Sequence, residues 1–199
     1  MLKLIGKQRA ERILEKYAPW LRNVSNKYAV PVPVIKAVLY QEMTDIDILD
    51  AAADLVVWTG LFPKKDSSTG YAQIFGYVAV NAVNFAVDRG LTDYAALGIP
   101  SDHRLNSADK KDVRMLWKLL RRDRRLNMEA AALNILSAAE EMTGRRDFSS
   151  FSDRELQLIF TRYNADIRCV SPYGQMVYSH YLRYKNAQND LKDHKEEDK

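Results

Sequence analysis

Apolar residues recur every three or four positions along most of this chain, and no stretch alternates convincingly. That spacing puts side chains on one face of an α-helix, so the chain must fold by packing helix on helix. Eight glycines and six prolines in 199 residues leave most of these stretches uninterrupted. Ile13, Tyr17, Leu21, Val24 and Tyr28 form one stripe over residues 7–28, with Pro19 inside it. A proline there either kinks one helix or opens a second. Val30-Pro31-Val32-Pro33 then demands an extended turn. Further helices are expected at about 33–43, 45–58, 74–90, 107–122, 127–143, 153–164 and 172–186, with a loop at 62–70. Gly90 and Gly144 stand where helices stop, Ser152 and Glu155 have capping-box spacing, and Ser171-Pro172 has the order of a helix start. The expectation is an all-α single domain of seven to nine helices over residues 1–186, followed by a frayed, charged tail at 187–199.

The formal charge is +4 and the pI is near 9.0. This favours an anionic partner and selects none. A single cysteine, Cys169, excludes an intrachain disulfide, so packing alone must hold the fold. Met1 to Gly6 is too short an apolar stretch for a secretory signal, and no apolar run is long enough to span a membrane. The location expected is the cytoplasm, export by an unconventional route, or a place within a longer exported chain.

Three segments contain residues suited to chemistry. Glu42 shares a helix face with Ile35, Val38 and Leu39. Partial desolvation there would let its carboxyl hold a proton, which general-acid catalysis requires; otherwise it is a helix-end glutamate facing water. In Ser67 to Ile74, Gly70 permits close backbone approach, and Gln73 offers a donor and an acceptor to sugar hydroxyls; otherwise this is a surface loop before a helix. Tyr163 and Asn164, at a helix end, either position a substrate or serve as core and cap.

The order of these segments resembles the lysozyme-like superfamily, in particular the lytic transglycosylases and goose-type lysozymes. The residues involved are Val30 to Glu42, then Gly70-Tyr71-Ala72-Gln73-Ile74, then Tyr163-Asn164-Ala165, then Tyr173-Gly174 at the head of a helix. The resemblance spans roughly residues 28–184. Two departures stand out: Met43 follows the glutamate where the family commonly has serine, and Asp166 replaces the glycine after Tyr-Asn-Ala.

The resemblance implies a lysozyme-like fold that cleaves peptidoglycan between N-acetylmuramic acid and N-acetylglucosamine. Glu42 would be the acid, and Gly70, Tyr71, Gln73, Tyr163 and Asn164 would hold the glycan strand. It also implies a choice of route. A transglycosylase returns the proton to the same carboxylate and makes a 1,6-anhydro end. A hydrolase generally uses a second acid, for which Asp66, and after it Asp54, is the candidate. The transglycosylase route is the first expectation. Met43 and Asp166 also motivate a glycan-binding module without activity.

A rival signal lies in Trp117 to Arg125, where five cations near an aromatic suit nucleic acid. Asp123 interrupts it, and Leu116, Leu119 and Leu120 read as the buried face of that helix, so nucleic acid is not the expected partner. His103, His180 and His194 lack metal-ligand spacing, and neither metal nor cofactor is expected. The protein is expected to be a monomer.

Overall fold

The computed structural model describes residues 5–45 and 68–197. The expected helix at 45–58, most of the 62–70 loop, and both Asp54 and Asp66 lie outside the described residues. Within them the architecture is all-α: eight helices and one very small hairpin.

Pro19 opens a second helix instead of kinking one. α1 runs Lys7–Lys16 and α2 runs Ala18–Tyr28, with the proline in the first turn of α2, where its missing N–H costs nothing. Ala29, at positive φ, ends α2, and the Val30-Pro31 turn leads into α3, Val32–Asp45. Ten residues of α3 are buried, so it is a core helix and not an amphipathic surface one.

A hairpin then pairs β1, Ser68–Thr69, antiparallel to β2, Ile74–Phe75. The sequence pattern predicts a loop and the start of a helix here; two residues per strand are too few to show alternation. α4 follows at Gly76–Asp88, two residues later than expected. α5 is Lys110–Arg122 and α6 is Arg124–Thr143, each capped at its start by an aspartate, Asp109 and Asp123. Asp123 accepts from the backbone N–H groups of Arg125 and Leu126, which is why α6 begins three residues earlier than its apolar pattern suggests. A 3-10 turn at Phe148–Ser150 precedes α7, Asp153–Asn164, whose Ser152–Glu155 capping box forms as expected. α8 starts at Pro172 and continues to Glu197, past the expected end at residue 186. Residues 187–197 lack glycine and proline and are rich in helix-forming Lys, Glu, Gln, Ala and Leu, so nothing local stops the helix.

α6 is the hub. It contacts α2, α3, α4, α5 and α7, and over residues 126–136 it is buried on every side. Alanines at 130–132, 138 and 139 let its neighbours come close. α3 packs against α8, and α8 packs against α7. Glu42, on α3, and the first turn of α8 are therefore brought together by helix packing.

Candidate active site around Glu42

Glu42 sits in the last turns of α3 among buried neighbours, and only 8 % of its surface is exposed. The apolar stripe seen in the sequence accounts for this: Val38 and Leu39 are fully buried on the same helix. The Tyr173 hydroxyl, 131 residues away in sequence, donates to Glu42 Oε1. Burial pushes the Tyr173 phenol well above its ordinary range, and the charge of Glu42 pushes it further. Tyr173 therefore stays protonated and remains a donor, which fixes the rotation of the Glu42 carboxyl.

Tyr173 is held there by close packing at the start of α8. A Cβ on Gly174 would come within 2.5 Å of the Gln157 carbonyl oxygen and would overlap the Thr161 hydroxyl. Only glycine lets the first turn of α8 lie this near α7. Ser171 completes the joint: its N–H donates to Thr161 Oγ1 at 3.0 Å, and its hydroxyl accepts from the Gly174 N–H at 3.1 Å.

Tyr163, on α7, is the second phenol beside Glu42. It is 8 % exposed, and burial followed by the Glu42 charge raises its ionisation well above the usual range. Its hydroxyl donates to the Ala72 carbonyl at 2.8 Å. It thereby pins the turn of the hairpin to the wall that carries Glu42.

That turn is fastened a second time by Asn127, in the first turn of α6. Its amide oxygen accepts from Ala72 N–H at 2.8 Å, and its amide nitrogen donates to the Thr69 carbonyl at 3.0 Å. Gly70, at φ +72, lies flat on the Asn127 amide, and any Cβ would collide with it. Gln73 also adopts a positive φ, +42, unusual for a non-glycine residue. Its side chain folds back into the turn, donating to the Gly70 carbonyl at 2.8 Å and accepting from Ser68 Oγ at 2.9 Å. The sequence assigns this amide to the substrate; in the structure its first partners lie within the hairpin.

The structure thus brings Glu42, Tyr163 and the Gly70–Gln73 turn together, and adds Tyr173 and Asn127. Asn164 is exposed, as the last residue of α7. Tyr71 meets Tyr17 edge-on and lies beneath Arg124, which are its contacts in place of the Glu42 group. Asp166 is exposed beside Arg162. Met43, the other departure from the family pattern, is fully buried. In sequence, Tyr173 belongs to the Tyr-Gly motif but has no role of its own; Asn127 has only one signal, a polar residue near the start of an otherwise Ala- and Leu-rich helix.

No known protein family, curated protein or solved structure matches this chain. Among the described residues no group of histidine, cysteine and carboxylate side chains is placed to hold a metal ion, and no helix is long and apolar enough to cross a membrane. A separate groove of about 540 Å³ opens between the α1–α2 corner and the start of α6, and Glu42 is not among the residues that line it.

Proposed function

We propose that this protein cleaves the glycan strands of bacterial cell wall between N-acetylmuramic acid and N-acetylglucosamine, with Glu42 as the general acid. One observation carries the reading. Segments drawn from four distant parts of the chain, in the order seen in lytic transglycosylases and goose-type lysozymes, meet around one buried carboxyl group. A lysozyme-like fold is part of this proposal.

The chemistry follows the lytic transglycosylase route. Protonated Glu42 gives its proton to the glycosidic oxygen as the bond to muramic C1 breaks. The muramic C6 hydroxyl oxygen then bonds to C1, and its proton returns to the Glu42 carboxylate. The products are a 1,6-anhydro end and a free hydroxyl, and no water is consumed. One carboxyl group serves both steps. Tyr173 and Tyr163 are positioning residues: one orients the carboxyl, the other secures the turn.

The test is glycan release from purified peptidoglycan, with mass analysis of the fragments. Anhydro ends are expected, and Glu42→Gln should remove nearly all release. Asp66→Asn should leave most of it. Fragments carrying only reducing ends, heavier by one water, would replace this route with hydrolysis and make Asp66 the first second acid to test. Wild-type protein that binds glycan without releasing any would support the inactive binding module motivated by Met43 and Asp166.

A further inference from the structure

The groove between the α1–α2 corner and α6 has a distinct chemistry. Lys16, Arg122, Arg124 and Arg125 line it, with Trp20 at its wall and Asp123 as the one carboxylate. Asp123 is committed to capping α6 through two backbone N–H groups. Three of the cations each lie over an aromatic ring: Lys16 over Tyr17 at 5.9 Å, Arg124 over Tyr71 at 5.1 Å and Arg125 over Trp20 at 5.5 Å. The Trp20 indole is itself tied down, donating to the Arg125 carbonyl at 3.2 Å.

Four other arginines are held by counter-charges. Arg89, Arg145, Arg162 and Arg183 are each paired with a glutamate. Among the described residues Lys16, Arg124 and Arg125 have no carboxylate partner; rings, not counter-charges, support them. A guanidinium stacked on a ring has already lost much of its rotational freedom, and its in-plane N–H edge matches phosphate oxygens two at a time. A concave surface lined by four cations and the single carboxylate of Asp123 attracts a dense, repeating anion.

We propose that this groove binds a phosphodiester polymer without bases, of the alditol-phosphate kind attached to wall glycan. The choice of wall polymer as the source rests on the reading of Glu42 as a wall-cleaving acid; the anion chemistry of the groove does not. Two observations favour a baseless chain over single-stranded nucleic acid. The rings at the groove carry side-chain cations on their faces, where bases would stack. Trp117, the aromatic within the basic stretch itself, is 1 % exposed. The position suits the reading: Tyr71 under Arg124 is next to Ala72, whose carbonyl holds the Tyr163 hydroxyl, so the groove adjoins the hairpin of the Glu42 site.

The experiment measures binding of the full chain to a short poly(glycerol phosphate), an abasic deoxyribose-phosphate chain, oligo-dT and poly-glutamate over a range of salt concentrations. Both baseless phosphate chains should bind, poly(glycerol phosphate) at least as tightly as oligo-dT, and poly-glutamate much more weakly. The double variant Arg124→Gln/Arg125→Gln should weaken binding. It should also flatten the dependence of log affinity on log salt, by roughly 0.7 for each phosphate the variant no longer neutralises. Arg89→Gln/Arg162→Gln, which removes the same charge at paired positions, should leave binding unchanged. Equal weakening in both double variants would reduce the site to net charge and overturn the proposal. So would equal binding of poly-glutamate, or absence of phosphate-chain binding. Oligo-dT binding well above the abasic chain would replace the polymer with nucleic acid. Binding is read independently of glycan release, so failure here leaves the Glu42 reading standing, and the reverse holds.

Discussion

Glu42 and Arg125 are both ionisable side chains set beside aromatic groups, and the rings treat them in different ways. At Glu42 two phenols stand in a nearly dry wall, and the hydroxyl of one grips a carboxyl oxygen. At Arg125 the indole of Trp20 offers its face, and the guanidinium stays exposed in an open groove. The first arrangement holds a carboxyl group in one orientation, where small displacements would be costly to any chemistry it performs. The second displays charge to water, where it is screened and individually weak. Substitutions should therefore cost chemistry at the first site and affinity at the second. Stability should depend heavily on the supports of the first and little on the cations of the second.

The largest expected effect tests the first half of this contrast. Glu42→Gln should lower glycan release by about 10²- to 10⁴-fold, the usual contribution of a positioned acid–base group. The fold should persist, because glutamine fills the same space. Tyr173→Phe should act through kcat more than KM. A hydrogen bond to a charged group is worth about 1.5–3 kcal/mol, so a loss of roughly ten- to a hundredfold is expected if it operates in the transition state. Unchanged kcat in Tyr173→Phe, measured on the same peptidoglycan, would show that the phenol serves packing alone.

Next come the supports. Asn127→Ala leaves the Ala72 N–H and the Thr69 carbonyl without their buried partner. Each such group costs about 1–3 kcal/mol, so denaturant melts should show a loss of several kcal/mol. Gly174→Ala drives a methyl into the Gln157 carbonyl and the Thr161 hydroxyl, an overpacking of about 1–3 kcal/mol. It should also cost activity, because α8 must shift and carry Tyr173 with it. A Gly174→Ala protein with full activity would separate the α7–α8 joint from the site.

A smaller effect is read in pH. His180, on α8, meets the Gln41 side chain beside Glu42, and burial, with Arg183 and Lys7 nearby, lowers its pKa below 6.5, while Glu11 and Asp45 oppose that shift. Below about pH 6.5 the unfolded chain takes up a proton that the folded chain resists, so stability falls as pH falls through that window. His103 carries the opposite sign: Asp102 and Asp112 raise its pKa, and its contribution is lost as pH rises through the raised value. His180→Gln should flatten the acid side of a stability–pH curve, and His103→Gln the neutral side. Proton titration of the two imidazoles by NMR checks the directions directly.

The sequence exposed local rules well and distant pairings poorly. Pro19, Gly144, Ser152 and Pro172 marked helix ends because caps and stops are decided within a few residues. The stripe beside Glu42 was legible for the same reason, though it left open whether the carboxyl faced the core or water. The contacts of Tyr173 and Asn127 were not legible, since their partners lie 131 and 55 residues away and the local signals, a Tyr-Gly pair and one polar residue in an apolar helix, do not name a partner. The conformation of Gln73 was not legible, because its backbone turns to positive φ and folds the amide into the hairpin, which is uncommon outside glycine. The basic stretch misled in part: Trp117, the ring nearest the charges in sequence, is core, while Trp20 and Tyr71, far away in sequence, are the rings that meet the arginines.

The smallest expected effect is the one most able to break the contrast. Single changes Arg124→Gln and Arg125→Gln remove one exposed cation from one ring. An exposed cation–π interaction is worth about 0.5–1 kcal/mol, and ordinary surface changes stay within about 0.5 kcal/mol. Relief of repulsion among Lys16, Arg122, Arg124 and Arg125 offsets part of that loss, so the net change should be close to zero and should shrink further as salt screens the cluster. Thermal melts of each variant at low and high salt make the measurement. Near-identical melts would place these cations outside the framework that holds the fold, free to serve a ligand. A clear loss of stability that survives high salt would mean that the guanidiniums act as lids over Trp20 and Tyr71, part of the packing. The groove would then be built like the Glu42 wall, from fixed parts, and its charge would be incidental to its role.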